Sequence, residues 1–388
     1  MREFEIGPIR PPSESKSLLL RITRNCSWNK CKFCTLYKGE SFRTRSIEEI
    51  KEDIDQIASY RDNLLRWMSE DESLTDSSVS TISSVNSVRK KIFALPEETR
   101  RGYIHILNWI VHGEGTVFLQ DANTMVLTFE KLKEILVYLR EKLPQATRVT
   151  SYGRVDSLLK FSVEQLAELK DVGLDRIHSG YESGSDKVLA LINKGYTKAK
   201  EIEAGKKVKE SGIELSLYFM PGVGGRELSD ENASETADVV NKVNPDFVRI
   251  RTFVSHLRTE LAADIDAGRI IECTDKEKAL ELKKMIENIR GAAGYLYSDH
   301  IINLFEDIKG NMTADKEKML AVFAAFEELD IHEQQKYQVA RRIGMVRSLS
   351  DYKLRDKEQD MVIDSYLSKL VSSEKFEDFL TNCLRRYI

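Results

Sequence analysis

The stretch that decides the fold of this chain is Ser17-Leu18-Leu19-Leu20-Arg21-Ile22-Thr23, followed closely by Cys26-Ser27-Trp28-Asn29-Lys30-Cys31-Lys32-Phe33-Cys34. The apolar run is typical of a buried β-strand. The loop after it carries three of the chain's five cysteines within nine residues. Structural zinc sites and plain electron-transfer clusters use four protein ligands, so three thiols leave one coordination position of a metal centre open. An open position indicates a site that does chemistry.

Three different roles for the clustered cysteines remain open from composition and spacing alone. Reduced cysteines are often buried as small apolar side chains, but Asn25, Asn29, Lys30 and Lys32 make this segment too polar for a core. A disulfide framework is disfavoured, since five cysteines in 388 residues are sparse and odd in number. A zinc site would need a distant fourth ligand, and no histidine shows a paired zinc-ligand spacing. The available histidines are His105, His112, His178, His256, His300 and His332.

Composition indicates a globular protein with a full core. Hydrophobic residues make up 41% of the chain and charged residues 31%. The formal net charge of −4 and the isoelectric point near 6.0 make a nucleic-acid partner bound by bulk electrostatics unlikely. Residues 1–6 lack the apolar core of a signal peptide, and no apolar run is long enough to span a membrane. We therefore expect a cytoplasmic protein.

Short apolar runs alternate with longer amphipathic segments through the first two thirds of the chain. Runs that are continuously apolar are typical of parallel strands covered by helices on both faces. We predict an α/β fold, a partial or full parallel (β/α) barrel. Its predicted strands are Ser17–Thr23, Thr116–Gln120, Arg148–Tyr152, Arg176–Glu182, Glu214–Met220 and Asp246–Phe253. Its predicted helices are Ser46–Leu65, Thr128–Lys142, Ser162–Asp171, Ser185–Asn193, Thr197–Ser211 and Ser229–Val243.

Each predicted strand ends in polar or glycine-rich residues. In parallel barrels the reactive groups gather at the carboxyl ends of the strands. One such segment is an ordinary turn, but six together predict a single mouth. The segments are Arg24–Cys26, Gln120–Asn123, Ser151–Arg154, Gly180–Gly184, Met220–Gly225 and Arg249–Arg251.

A change in the hydrophobic periodicity, from strand–helix alternation to long helical patterns, predicts two domains. Residues 1–255 would form the barrel domain, with a helical insertion at about 66–112, and residues 256–388 a C-terminal all-α domain. The insertion contains the serine-rich stretch 71–87, which we expect to be flexible, and it is either a lid or partner surface or a connection without function. No proline occurs from Asp246 onward, and long helical patterns fill that part of the chain.

The cysteine loop resembles that of the radical S-adenosylmethionine (radical SAM) superfamily, because its strand ends in three clustered cysteines with an aromatic residue, Phe33, before the third. The spacing here is C-x4-C-x2-C, whereas the usual spacing in the superfamily is C-x3-C-x2-C. The extra residue lengthens the loop by about 3.5 Å at most.

The resemblance runs from about Ser17 to Phe253. Residues 174–186, with Ile192-Asn193-Lys194-Gly195 downstream, are similar to the fourth-strand signature of many members. Residues 118–123 occupy the place of the second-strand glycine-glycine-glutamate motif but lack its glycines.

The resemblance implies two cofactors, a [4Fe-4S] cluster and S-adenosylmethionine, with Cys26, Cys31 and Cys34 as the iron ligands. It further implies that Phe33 packs near the adenine, unless it fills the core. Glu182 would bond the ribose hydroxyls, unless it pairs with Arg176 or Lys187. The full set implied to bind the cofactor is Phe33, Asp121, Asn123, Ser151, Arg154, Glu182, Ser183 and Arg249.

Two arginines of the set have alternative roles. Arg154 is suited to the methionine carboxylate, and its alternative role is a surface salt bridge. Arg249 and Arg251 project to one face of the sixth predicted strand, where they would meet an acidic substrate or the cofactor carboxylate if that face is interior. Further along, Asp299 and His300 are candidate substrate-side groups, and a helix cap is the favoured interpretation of that segment.

The resemblance implies an enzyme, an oxidoreductase or transferase, that forms a 5′-deoxyadenosyl radical and abstracts hydrogen from an unidentified substrate. It implies an external low-potential electron donor of the flavodoxin or ferredoxin kind and a small-molecule or peptide substrate. The alternative is a zinc- or iron–sulfur-binding scaffold without turnover on a degenerate barrel. Methylthiolation usually comes with a second set of three cysteines, and Cys273 and Cys383 do not supply one.

Overall fold

A computed structural model describes residues 3–70 and 77–387 of the chain. Eight strands form one mostly parallel sheet in the order β1-β4-β5-β6-β7-β8-β9-β10, and two short strands, β2 and β3, pair separately. The strands are β1 (Leu18–Arg21), β2 (Thr23–Arg24), β3 (Arg43–Thr44), β4 (Thr116–Gln120), β5 (Arg148–Tyr152), β6 (Leu174–Glu182), β7 (Glu214–Phe219), β8 (Phe247–Ile250), β9 (Tyr295–Tyr297) and β10 (Lys309–Asn311).

Helices occupy most of the connections between strands. In the first part of the described chain they are α1 (Ile47–Ser69), α2 (Ser77–Phe93), α3 (Glu97–His112), α4 (Phe129–Lys142), α5 (Val155–Leu158), α6 (Val163–Asp171), α7 (Asp186–Leu191), α8 (Lys198–Glu210) and α9 (Gly225–Val243). In the C-terminal part they are α10 (Glu260–Asp266), α11 (Asp275–Asn288), α12 (Lys316–Glu327), α13 (Ile331–Arg342), α14 (Leu349–Lys353), α15 (Lys357–Leu367) and α16 (Ser373–Leu384).

The chain divides into two compact units. The first consists of the residues up to Ser27 together with Glu40–Ile177 and Ser211–Ile213. The second consists of Trp28–Gly39, His178–Glu210 and Glu214–Ile388.

The first unit is built on the parallel strands β1, β4 and β5. Leu18 lies opposite Val117, and Thr116 opposite Arg148. The side chains of β1 and β4 are almost all buried, as expected for strands covered on both faces. Helix α1 begins at a capping box in which the Ser46 side chain accepts from the N–H of Glu49, and it packs against α3 and α4.

The second unit continues the parallel pattern through β7, β8 and β9, and an antiparallel hairpin joins β9 to β10. Helix α9 packs closely against α11. An aromatic cluster around Phe305 and Tyr337, whose rings stack at 5.5 Å between centroids, joins the loop before β10 to α12 and α13. This unit therefore has a core of its own.

The parallel α/β fold predicted from the sequence is confirmed, and so is a mainly helical C-terminal region. That region is not entirely helical, since it supplies β9 and β10. No helix begins at Asp299, so the predicted helix cap at that segment is wrong. Of the serine-rich stretch predicted to be flexible, residues 71–76 lie outside the described residues and the rest belongs to α2. The predicted domain boundary at residue 255 stays a prediction.

Candidate active site

Residues 28–34 of the cysteine loop, which belong to the second unit, are held on two sides by backbone hydrogen bonds. The N–H of Lys32 donates to the carbonyl of Ile192 just after α7, at 3.0 Å, and the carbonyl of Lys32 accepts from the N–H of Leu261 in α10, at 3.0 Å. The Lys32 ammonium also pairs with Asp264, also in α10, at 3.1 Å. The two residues that flank Lys32, Cys31 and Phe33, are therefore placed by two helices far apart in the sequence.

Trp28 fixes the start of the same loop. Its indole N–H donates to the carbonyl of Asn193 at 2.8 Å, and the Asn193 amide donates to the carbonyl of Lys30 at 3.1 Å. Gly195 lies beneath the indole with φ of +86°, and a Cβ at this position would collide with the Trp28 ring. Only glycine fits here, because both the backbone conformation and the space exclude a side chain.

The three clustered cysteines lie among the described residues 3–70, and none of them forms a disulfide there. Cys31 is buried, and Cys26 and Cys34 are half-buried. Three thiols on one anchored loop are the donor set that iron–sulfur clusters use, so the chemistry of these residues fits such a group. Among residues 3–70 and 77–387, no three His, Cys, Asp or Glu side chains already converge as a metal site. The fit lies in the donors and their loop.

Phe33 lies at the edge of an apolar cluster of the second unit. It packs against a set of buried side chains, and the ammonium of Lys194 lies 5.6 Å from its ring centre. The cluster consists of Val188, Ile192, Met220, Val223, Phe253, Leu261 and Ile270. These contacts match the alternative role of Phe33, which is to fill the core. The ring is only partly buried, and the Lys194 ammonium lies over it.

Glu182 ends β6 with φ of +69° and pairs with Lys194 at 3.0 Å. The two side chains are 12% and 7% exposed, so the pair is largely shielded from water. The sequence points to Arg176 or Lys187 as alternative partners, but Lys187 pairs with Glu231. Lys194 thus contacts both Glu182 and Phe33. Glu182 and Lys194 are twelve residues apart, and no sequence pattern predicts that they pair.

Ser183 belongs to a buried polar network behind the end of β6. Its hydroxyl donates to the Asn232 carbonyl oxygen at 2.5 Å, and the Asn232 amide donates to Glu281 at 2.6 Å. Glu281 also accepts from the N–H of Gly222 at 3.0 Å and from Ser229 at 2.6 Å. Burial raises the pKa of Glu281 to about 7 despite these donors. No pattern in the sequence marks this carboxyl.

In the first unit, Asp121 and Asn123 follow β4. Asp121 is fully buried and forms an ion pair with Arg21 at 2.7 Å, and it also accepts from the N–H of Asn25 at 3.2 Å. The Asn123 amide donates to Ser27 and to Ser157, each at 2.8 Å. Both side chains therefore hold Asn25 and Ser27, which flank Cys26, to the segment after β4.

Ser151 and Arg154 lie at the end of β5 in the same unit. The Ser151 hydroxyl is buried and donates to the carbonyl of Tyr152 at 3.1 Å. The N–H of Arg154 donates to Asn123 at 3.0 Å, and its guanidinium pairs with Asp156 at 2.9 Å. The alternative role named for Arg154 is a surface salt bridge; the pair with Asp156 exists, but the Arg154 side chain is only 10% exposed.

Arg249 lies on β8 of the second unit, with its side chain 9% exposed. It pairs with Asp299 at 3.2 Å and lies 5.2 Å from the centre of the Tyr297 ring. The side chain is buried, as expected if this face of the strand is interior. Asp299, which the sequence offered as a substrate-side group, therefore does lie beside Arg249.

No helix in residues 3–70 and 77–387 is both long and apolar enough to cross a membrane. The family model of the radical SAM superfamily matches residues 20–238, more than half of the chain. The match begins in β1 and includes the cysteine loop, β6 and most of α9.

Curated relatives are similar over part of their length. The tRNA-2-methylthio-N(6)-dimethylallyladenosine synthase of Aquifex aeolicus is 28% identical over 155 residues, which are 39% of this chain and 34% of the relative. The synthase of the same name from Syntrophus aciditrophicus is 32% identical over 130 residues, 34% of this chain and 28% of the relative. The chain thus spans about a third of the length of these relatives.

Among solved structures, the archaeal Methanocaldococcus infernus Elp3 aligns with 59% of this chain and 58% of its own at 17% identity, with a TM-score of 0.42. This similarity is too low to inform the function.

Proposed function

The chain belongs to the radical SAM superfamily, and on that premise we propose that it is an enzyme that abstracts hydrogen from an unidentified substrate. Membership implies a [4Fe-4S] cluster and S-adenosylmethionine as cofactors. The observation that carries the proposal is that the matched region contains the anchored loop with three thiols.

Cys26, Cys31 and Cys34 would hold the cluster through their thiolates, leaving one iron for the cofactor. When bound, the cluster supplies the electron that cleaves the sulfonium to a 5′-deoxyadenosyl radical. The contribution of the protein is to hold the loop still. Lys32 does this through bonds to Ile192 and to α10, and Trp28 through a bond to Asn193.

Phe33 and Glu182 would bind the nucleoside part of the cofactor. The ring of Phe33 offers a flat apolar surface for the adenine, and the Glu182 carboxylate accepts hydrogen bonds from ribose hydroxyls. Lys194 lies near both, so it would keep the Glu182 carboxylate oriented. Ser183, which follows Glu182, is fixed by Asn232.

Asp121, Asn123, Ser151 and Arg154 would bind the amino acid part of the cofactor. Their present partners, Arg21 for Asp121 and Asp156 for Arg154, are charged groups that compete with a ligand. Of these four, Arg154 is the most suited to a carboxylate because the guanidinium binds carboxylates in pairs of bonds. We also propose the barrel domain at 1–255, its insertion at about 66–112 and the C-terminal domain at 256–388.

Hydrogen abstraction needs an external low-potential electron donor, for which a flavodoxin- or ferredoxin-like protein is the proposed partner. We propose a small-molecule or peptide substrate and a cytoplasmic location. Methylthiolation of tRNA, the activity for which the relatives are named, is a second candidate. Against it, the two remaining cysteines, Cys273 and Cys383, are both buried, and burial raises the pKa of Cys273 to about 12.

Anaerobic reconstitution tests the proposal. With iron, sulfide and dithionite, we expect the protein to convert S-adenosylmethionine to 5′-deoxyadenosine, and we expect Cys31→Ala to lose this conversion. A protein that holds one zinc and no iron, and forms no 5′-deoxyadenosine, would instead be the scaffold without turnover.

A further inference from the structure

Three neighbouring strands of the second unit place large polar side chains side by side. Tyr218 of β7 lies opposite Arg249 of β8, and Arg249 lies opposite Tyr297 of β9. Residues in register on parallel strands project to the same face of a sheet. The opposite face carries the apolar residues of the core, among them Leu217, Val248 and Leu296. The face that holds Arg249 is therefore the polar one.

The guanidinium of Arg249 uses only one of its nitrogens within the described residues. Nη1 donates to Asp299 at 3.2 Å. Nε is fully buried and has no hydrogen-bond partner among the described side chains and carbonyls. The edge formed by Nε and Nη2 is the one that grips a carboxylate with two parallel bonds, and no described side chain or carbonyl occupies it. A buried donor without a partner is costly, so this edge is suited to a ligand.

The charge around this edge is positive. Arg251, two residues further on, has no acidic partner among the described residues, and burial together with Arg251 lowers the pKa of His300 to about 4, so that His300 is neutral at pH 7. Within the part of the chain that the structure describes, Asp299 is the acid that pairs with Arg249, and its side chain is 46% exposed. A half-exposed carboxylate held by one bond is a weak partner that a ligand can replace.

Ser216 adds a second open group on the same face. It lies two residues before Tyr218 on β7, and its hydroxyl is buried without a partner among the described residues. The Tyr297 ring, whose centre is 5.2 Å from the guanidinium carbon, lies against one side of Arg249. The arrangement offers two donors in a fork, one hydroxyl and an aromatic wall.

We propose that the Nε–Nη2 edge of Arg249 binds the carboxylate of a small molecule, with Asp299 as the group that the ligand displaces. This rests on the proposed function in one respect, that the polar face is the side where a ligand enters. We assign this carboxylate to an acidic substrate, and binding of the methionine carboxylate of the cofactor at this edge is the outcome that would overturn the assignment. The shared chemistry is a carboxylate on a guanidinium edge, and the experiment separates the two sources.

Malonate is a suitable probe, because it needs neither cluster nor reductant. We would measure its affinity by isothermal titration calorimetry with the full chain at constant ionic strength. Wild-type protein should bind malonate, and Arg249→Gln and Arg249→Lys should weaken binding by about tenfold or more, since two charge-assisted bonds are lost. Arg347→Gln, at a 77% exposed arginine of the same unit, serves as the control and should bind malonate like the wild type.

The Asp299→Asn variant distinguishes a ligand-binding role of Arg249 from a purely structural role. Removing the competing carboxylate should tighten malonate binding by about twofold to fivefold, whereas a structural role for Arg249 predicts no gain. If wild-type protein does not bind malonate, the proposal is wrong. It is also wrong if Arg249→Gln and Asp299→Asn both bind malonate with the affinity of the wild type.

The affinity for S-adenosylmethionine assigns the source of the carboxylate. If Arg249→Gln weakens malonate binding and leaves S-adenosylmethionine affinity unchanged, the edge serves the substrate. If both affinities fall together, the edge serves the cofactor carboxylate and the assignment to a substrate is wrong. Failure of the proposed function has a different result: the reconstituted protein forms no 5′-deoxyadenosine but still binds malonate.

Discussion

The indole of Trp28 lies directly against Gly195, at a position where a methyl group has no room. Trp28 opens the cysteine loop, and Gly195 closes the segment that follows α7. Glycine is required here twice over, by the φ of +86° and by the ring above it. The position of the loop therefore depends on a residue more than 150 positions away in the sequence.

Gly195→Ala should loosen the cysteine loop. The variant incurs the left-handed backbone penalty of about 1–2 kcal/mol and, in addition, pushes the indole of Trp28 aside. We expect iron retention after anaerobic reconstitution to fall by half or more, measured as iron per chain. Gly212→Ala is the matched control, because its φ of +80° is similar and a Cβ there meets nothing within 4 Å. Equal iron retention in the two variants would contradict the proposed role of the contact.

Glu182→Gln should weaken cofactor binding without loss of iron. The substitution removes a charge that accepts hydrogen bonds, and such bonds contribute about 1.5–3 kcal/mol, so the dissociation constant for S-adenosylmethionine should rise about tenfold or more. Equilibrium dialysis with labelled cofactor measures it. The control is Glu231→Gln, which breaks an exposed pair with Lys187. If Glu182→Gln loses iron as well, the residue supports the cluster loop instead.

Glu281 should make stability depend on pH. Burial raises its pKa in the folded state to about 7 from an ordinary value of 4.5. Between these values the folded state holds a proton that the unfolded state lacks, so the free energy of unfolding falls as pH rises from about 5 to 7, by at most roughly 3 kcal/mol. Denaturant unfolding at several pH values measures the pH dependence of stability, and Glu281→Gln should lack the part that this carboxyl contributes.

Two histidines act in the opposite direction, so the comparison with the variant is essential. Burial and nearby arginines lower the pKa values of His105 and His300 to about 4. Their contribution to the free energy of unfolding is fully present above their unfolded-state pKa near 6.5, and it is lost as pH falls toward 4. The difference between wild type and Glu281→Gln isolates the glutamate. A difference that does not change between pH 5 and pH 7 would show that Glu281 stays ionised.

The strand–helix alternation up to β8 could be predicted, because buried parallel strands and amphipathic helices have clear periods in the sequence. Strands β9 and β10 could not, since three residues are too few to show a period and they stand among strong helical patterns. Their presence extends the sheet into a region that composition alone marks as helical.

The candidate site shows a similar limit. Cys26, Cys31 and Cys34 are recognisable because they are close in sequence. The partners of Glu182 and Arg249 are not, because Lys194 and Asp299 meet them only through the fold. Glu281 could not be predicted for the same reason, since nothing in α11 marks one glutamate among several as buried. Pairings between distant residues are set by tertiary packing, which local patterns do not encode.

The central claim is that Cys26, Cys31 and Cys34 together hold one iron–sulfur cluster. The most direct test measures iron and acid-labile sulfide in anaerobically reconstituted protein. We predict about four of each per chain in the wild type and in Cys273→Ala, and a loss of most of both in Cys26→Ala, Cys31→Ala and Cys34→Ala. Unchanged iron and sulfide in any of the three loop variants would contradict the account.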